Sequence, residues 1–536
     1  MPNNERDTWD RPIESLFAQV GYCVGLGNLW RFPYLCQKNG GGVFLIPYCL
    51  ALMVISIPLY IVEVGIGQLT NRGKAAAWNR LPLMKGIGYA SVVLTVVVMI
   101  PYMLVMAWSI LYLGHSMTTE FLPWTTCDNP WNTNSCVTLD KVMNNSLTKS
   151  NASLEFNQSI SISYTKESLS QVQFWRNYVL RISNPENGID GEFNWPMLCA
   201  TIAAFITVFL VTVGGIKVGG KVVYFTASFP YVILVALLIR GVTLEGASKG
   251  IRAYLFPNLS HLAKAQVWVD AVSQATYTFG IGFAALTAFG GYNRHKNNFY
   301  RSTFVVVCLG CVTSLTMGLA TFSVLGHLAH VMGIDINNVV QSGPGLVFQV
   351  FPVALALMPA SKLWTAMFFL MIYFVAIDTS FSEFEGLMAV IGDAFPATVS
   401  TRLKRAGTNT ILGTAFFAAC LSQLPPQGIY IFEMFNTYGG SGISMIFVAF
   451  SEAVTIGWLW NAEQFKRDVK QMTGSNLAKP IIYCYKFLTP LVTLFVLFFF
   501  IIKWEPLTVG DFVYPTWANV LGGSCLCVLY SVSHLL

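Results

Sequence analysis

Charge is scarce in this chain. Only 11% of its 536 residues are charged, against 54% that are hydrophobic, and the mean hydropathy is +0.57. That little polar material cannot cover a soluble globule of this length. The six histidines fall at no metal-ligand spacing and no glycine-rich phosphate loop occurs, so the sequence gives no support to an enzyme. The net charge of +6 comes from no basic block of the kind that binds nucleic acid. A cleavable leader is also missing from view. The amino terminus is polar (Asn3, Asn4, Glu5, Arg6, Asp7) and the first apolar segment is long.

Long apolar windows fill the space that charge leaves. Windows of about 20 residues predict an all-α polytopic membrane protein of about 12 spans, beginning near residues 16, 43, 87, 197, 221, 266, 300, 361, 405, 427, 479 and 515. Every second connection is basic: Arg6 and Arg11; Arg72, Lys74, Arg80 and Lys85; Lys217 and Lys221; Arg294, Lys296 and Arg301; Arg402, Lys404 and Arg405; Lys466, Arg467 and Lys470. By the positive-inside rule these face the cytoplasm, as do both termini. Loops 240–267 and 332–359 then lie outside, as does a long polar loop at 118–196. That last loop carries Cys127 and Cys136 beside glycosylation sequons at Asn144, Asn151 and Asn157, with a further sequon at Asn258. Clustered sequons around a close cysteine pair predict a disulfide in an oxidising compartment.

Two stretches contradict the apolar background. Gly21 to Pro33 (Gly-Tyr-Cys-Val-Gly-Leu-Gly-Asn-Leu-Trp-Arg-Phe-Pro) lies in the first span, and Phe279-Gly280-Ile281-Gly282-Phe283 in the sixth. Lipid cannot satisfy peptide groups freed by a helix break, so such a break survives only where it is buried in protein or lines a cavity. Glycines also permit close helix packing. Spans one and six, however, hold the same rank in two successive sets of five, which points to an inverted repeat with a midplane site.

Gly25-Leu26-Gly27-Asn28-Leu29-Trp30-Arg31-Phe32-Pro33-Tyr34-Leu35-Cys36 with Asn39-Gly40-Gly41-Gly42 resembles the signature of the neurotransmitter:sodium symporters. So do Pro130-Trp131-Asn132-Thr133, Ser273-Gln274, Tyr292-Asn293 and Ser342-Gly343-Pro344-Gly345. The resemblance runs from Arg6 to the end of the chain. It implies a five-plus-five core with discontinuous spans one and six: residues 1–15 an inner latch, 16–241 and 242–459 the two repeats, 460–536 two peripheral helices. The activity it implies is sodium-driven symport, usually with chloride, of a small zwitterion across the plasma membrane; it does not fix the oligomeric state.

Carried over residue by residue, the resemblance implies one sodium at the carbonyls of Gly21, Val24 and Val375 with Asp378 and Thr379, and another at the Cys23 carbonyl, Asn28 and Thr278. Chloride would meet Tyr48, Gln274, Thr278 and Ser314. Asp378 is an acid in an otherwise apolar run, a functional candidate on physical grounds alone. Gly310 stands where the family usually has an asparagine serving the first sodium near the chloride, so either water or another group substitutes there or coupling at those two sites is weakened and the usual stoichiometry changes. The substrate would touch Gly25, Leu26, Gly27, Tyr102, Tyr277, Phe279, Gly280, Phe283, Thr379, Ser380 and Glu383. Gly25 takes the position of the aspartate of monoamine carriers, which leaves room for a substrate carboxylate.

Helical spacing from Asp378 and Thr379 returns the cavity face at Ser382 and Glu383. A carboxylate there wants a cation, and a guanidinium can be held in bidentate fashion. With Val43-Phe44-Leu45-Ile46-Pro47-Tyr48 and Ala285-Leu286-Thr287-Ala288 this resembles the creatine branch, which also handles GABA, taurine and betaine. The outer gate would be Arg31 over Tyr102 and Tyr277, with Asn436 in place of the usual acid and Glu433 able to substitute. The inner gate would be Arg6 and Trp9 against Asp393 and Tyr292. A receptor that has kept the fold without transport is a rival reading, favoured by Gly310 and Asn436 and opposed by Asp378, Asn28, Gln274 and both breaks.

Overall fold

A computed structural model describes residues 7–118, 121–141, 168–182, 192–256, 259–333, 336, 343–440, 442–509, 512–520 and 522. The sequons at Asn144, Asn151, Asn157 and Asn258, and Arg6 of the latch, lie outside the described residues.

The chain is helical almost throughout. The first span is two helices, α1 (Pro12–Cys23) and α2 (Phe32–Lys38), joined through a π turn at Gly27–Arg31. Pro33 begins the second of them, where its missing N–H costs nothing. Then come α3 (Gly41–Thr70), the short α4 (Lys74–Ala77), α5 (Lys85–Thr118), α6 (Trp195–Val213), α7 (Gly215–Val242) and α8 (Ala247–Leu255). The sixth span is again divided, into α9 (Ala265–Thr278) and α10 (Ala285–Gly291). There follow α11 (Phe299–Met332), α12 (Phe351–Ala356), α13 (Ser361–Ala394), α14 (Arg402–Leu421), α15 (Gly428–Leu459), α16 (Ala462–Thr473), α17 (Lys479–Ile502) and a two-stranded ribbon, Thr508–Val509 with Phe512–Val513.

Eight of the described helices are long and apolar enough to cross a bilayer, fewer than the dozen expected. The difference has physical causes. Spans one and six are cut short by their own glycines, α14 carries Arg402, Lys404 and Arg405 in its first turn, and the last span lies mostly outside the described residues. Loop 332–359, expected as a plain connection, contains the π turn Leu346–Val350 and α12, anchored by Tyr112 Oη and Trp124 Nε1 donating to the carbonyls of Phe348 and Pro352 at 2.5 and 3.2 Å. Cys127 and Cys136 form the expected disulfide, their Cα atoms 5.8 Å apart.

The core gathers around the broken spans. α9 packs on the first part of α3, through its π turn at Leu52–Ser56, and α10 on the part from Ile57 onward. There the backbones nearly touch: a methyl on Gly67 would strike the Thr287 carbonyl, and one on Gly290 the Val64 carbonyl. α13 lies along α5 and α7, which brings its polar stretch from Asp378 to Glu385 inside the protein.

Candidate functional site

α1 loses its helical path at Val24, which still donates to the Val20 carbonyl (3.0 Å) but turns to φ −95°, ψ 70°. The chain re-enters a helix once Asn28 N–H donates to the Gly25 carbonyl (3.1 Å). α9 ends at Thr278, after which Gly280 and Gly282 take φ of +59° and +92°. A side chain in that left-handed region costs about 1–2 kcal/mol, so glycine is the residue that fits. Amides freed by this second break are taken up from neighbouring helices. Gly282 N–H donates to Glu63 Oε1 of α3 at 2.6 Å, and Ala284 N–H to Thr95 Oγ1 of α5 at 2.9 Å. The breaks also meet each other: Gln274 Nε2 donates to the Gly27 carbonyl (3.1 Å) and Tyr22 Oη to the Gly280 carbonyl (3.4 Å).

Between them lies a small cavity of about 30 Å³. Of the residues expected at the substrate, Gly25, Gly27, Tyr102, Tyr277, Gly280, Phe283, Thr379 and Glu383 line it, together with Asn28 and Thr278. Tyr22 and Val98 line it too and were missed. Leu26 and Ser380 are buried behind the wall. A methyl on Gly25 would stand 3.5 Å from Tyr102 Oη and 3.6 Å from Thr379 Oγ1, whereas one on Gly27 would come within 2.7 Å of the Tyr277 ring. Gly25 therefore leaves usable room, and Gly27 lets Tyr277 settle against the break.

Three buried acceptor oxygens face this region without a well-formed hydrogen bond among the described residues: Asn28 Oδ1, Gln274 Oε1 and Glu383 Oε2. Burying unpartnered acceptors is costly, so they mark where a donor or cation belongs. Asn28 Nδ2 donates to the Cys23 carbonyl at 3.1 Å, which holds Oδ1 in position near Thr278 and the cavity. An all-oxygen donor set suits a hard cation. Asp378 forms a second cluster: Oδ1 accepts from Thr226 of α7, and Oδ2 lies beside Gly21, 2.8 Å from where a methyl on it would sit. Thr379 Oγ1 donates to the Val375 carbonyl at 3.2 Å.

The four residues expected at chloride are also gathered. Tyr48 Oη and Ser314 Oγ are 3.2 Å apart, and Gln274 Nε2 donates to Thr278 Oγ1 at 3.0 Å. The room beside Gly310 is filled by the Phe279 ring, 2.7 Å from where a Cβ would stand. Phe279, expected at the substrate, thus packs on Gly310 and Tyr60 and does not line the cavity.

On one side of the cavity Arg31 Nη2 donates to Ser273 Oγ (2.9 Å), and its guanidinium lies 4.9 Å from the centre of the Tyr277 ring. Tyr277 and Tyr102 interact through their hydroxyls. The Glu433 carboxylate accepts from Asn436 Nδ2 at 3.3 Å, and among the described residues no carboxylate forms an ion pair with Arg31. On the other side Trp9 N–H donates to the Tyr292 carbonyl (3.0 Å) and its indole to the Phe289 carbonyl (3.3 Å), ring edge against Tyr292. Asp393 accepts from Gly73 N–H at 2.6 Å. Sequence reasoning missed the next link: Tyr292 Oη donates to Glu385 Oε2 (3.2 Å), and Arg405 Nη2 holds both Glu385 oxygens at 2.7 and 2.8 Å.

Glu383 and Thr379, four residues apart on α13, face the cavity as helical spacing demands. Ser382 does not; its hydroxyl turns back to the Asp378 carbonyl at 2.7 Å. Glu383 Oε1 accepts from Tyr22 Oη at 2.5 Å, leaving Oε2 open. Lys74, counted above among loop cations, is wholly buried instead, its ammonium 2.9 Å from Glu63 Oε1 and 2.6 Å from Glu452 Oε1. Glu63 carried a signal, an acid inside an apolar run, that would have revealed it.

Residues 6–534 match the model of the sodium:neurotransmitter symporter family. The sodium- and chloride-dependent creatine transporter 1 of Mus musculus is 40% identical over 530 residues, 98% of this chain and 82% of that protein. The creatine transporter of Torpedo marmorata is 39% identical over 539 residues (99% and 86%), and the sodium- and chloride-dependent GABA transporter 2 of Rattus norvegicus 38% over 520 (97% and 84%). With two broken helices enclosing an oxygen-lined cavity and a match over nearly its whole length, this chain is a multi-pass membrane protein that belongs to the sodium:neurotransmitter symporter family.

Proposed function

We propose that this protein is a sodium-coupled, chloride-assisted symporter that imports a small guanidino carboxylate of the creatine type across the plasma membrane, with both termini in the cytoplasm. The observation that carries the substrate class is Glu383 Oε2, a buried carboxylate oxygen beside Thr95 with no well-formed hydrogen bond among the described residues, on a cavity whose other polar groups are neutral. A guanidinium supplies the missing donors in planar geometry. The substrate carboxylate then lies by Gly25, Tyr102 and the sodium held at Asn28 Oδ1, the Cys23 carbonyl and Thr278. The second sodium sits among Asp378, Thr379 and the carbonyls of Gly21, Val24 and Val375. Chloride takes the hydroxyls of Tyr48, Ser314 and Thr278 with Gln274. Arg31 with Tyr277 closes the outer route, and the Trp9–Tyr292 contact the inner one.

Each sodium entering through the membrane potential releases about 2.3 kcal/mol per 100 mV, and its gradient adds about 1.4 kcal/mol per tenfold ratio. Two ions can therefore drive a zwitterion uphill by several orders of magnitude. Uptake of labelled creatine, GABA, betaine, taurine and glycine into vesicles, with sodium and chloride replaced in turn, tests the reading. Creatine accumulation that collapses without sodium is expected, and no sodium-dependent creatine uptake would refute it.

A further inference from the structure

The cluster of Glu63, Lys74 and Glu452 lies outside the cavity, and no ion or substrate contact assigned above uses it. All three side chains are fully buried. One lysine from the segment after α3 stands between a carboxylate of α3 and another of α15, and Glu63 also accepts the amide of Gly282 in the broken sixth span. Two carboxylates far apart in sequence thus converge on one ammonium, and Glu63 ties them to the break that shapes the cavity.

We propose that Lys74 is a positioning residue whose fixed positive charge, in place of a bound proton, holds the carboxylate pair and thereby the Gly282 turn. Charge counting supports this. Lys74 sets one cation between two carboxylates; without it, two neighbouring buried carboxylates would face each other with no cation between them, which a proton could relieve. Other titratable groups surround the cluster, Glu383 among them as a further carboxylate. Tyr22 and Tyr60 face Glu63, Glu383 faces Lys74 from α13, Asp393 binds the Gly73 amide, Arg80 lies over Trp460, α5 meets the segment at Gly88, and α10 contributes no titratable side chain.

The proposal adds to the transport reading, and its first test does not depend on that reading. Thermal unfolding of the purified full chain is followed between pH 6.0 and 8.5 for the wild type, Lys74→Met and Lys74→Met/Glu452→Gln, the last leaving Glu63 as the one carboxylate of the cluster. The expected midpoint is level for the wild type, falls with rising pH for Lys74→Met and falls less steeply for the double variant, where Glu63 has no second carboxylate beside it. Uptake by Lys74→Met then drops by up to about tenfold per pH unit on the alkaline side, as the protonated fraction does. A Lys74→Met midpoint as level as the wild type's, or a double variant as pH-dependent as the single, overturns the proposal. If Lys74→Met yields no folded protein, recovery by the double variant supports the proposal and failure of both overturns it. Unfolding as expected in a protein that takes up no creatine would sink the substrate assignment and leave Lys74's role intact.

Discussion

Glu383→Gln is the sharpest perturbation of the substrate site, because it changes one charge and almost no volume. The amide oxygen can still accept from Tyr22 Oη, now at 2.5 Å from Glu383 Oε1, so the wall between α1 and α13 stays in place. What changes is the open position. Oε2 becomes an NH₂ group that points donors at the donors of a guanidinium. Removing one partner of a buried charged pair costs about 2–5 kcal/mol, and 2 kcal/mol alone is roughly 30-fold in affinity. The KM for creatine should rise at least about that much, with sodium-induced thermal stabilisation unchanged, since Asn28 and Asp378 are untouched. Initial-rate uptake of labelled creatine over a range of concentrations, normalised to surface protein, measures it. A creatine KM within threefold of wild type would remove Glu383 from substrate recognition and with it the reason to prefer a guanidino cargo.

Further outcomes follow from particular contacts. Gly310→Asn should lower the thermal midpoint through overpacking against Phe279, by about 1–3 kcal/mol, and Phe279→Ala in the same chain should restore it; a neutral single variant would show that the ring is not held there. Asp378→Asn should abolish saturable sodium activation. Thr226→Val, which strips the hydroxyl donor from Asp378, should shift the sodium midpoint roughly tenfold, charged hydrogen bonds being worth about 1.5–3 kcal/mol; an unmoved titration would exclude Asp378 from the ion site. Cys127→Ser with Cys136→Ser should destabilise by about 2–3 kcal/mol, the value for so short a loop, read as reduced surface protein and an earlier unfolding midpoint.

Much of the site was legible because lipid is an unforgiving solvent. Glycines at 25, 27, 280 and 282 and the acids Asp378 and Glu383 stand out wherever the surroundings can neither satisfy a peptide group nor solvate a charge. Lys74 was not legible for the same kind of reason inverted: a cation at the end of a span looks like a loop residue, and only the fold reveals that Glu452, distant in sequence, waits for it. Gly310 was visible as a departure, but the ring that packs on it, Phe279, comes from the break in the sixth span, and sequence alone could not pair the two. Glu433 lies against Asn436, three residues along the same helix, a pairing that the sequence did not announce. The beginnings of the spans were read to within several residues, as hydropathy marks the apolar core of a helix better than its capped end.

The close fit of α10 on α3 has a mechanical corollary. With only hydrogens between Gly67 and Thr287 and between Gly290 and Val64, neither helix can slide past the other, while α9 rests on the stretch of α3 before and through its widened turn at Leu52–Ser56. Any flexing of the sixth span must therefore be shared by the second, along a single crease running from the Gly280–Gly282 kink into that loose turn.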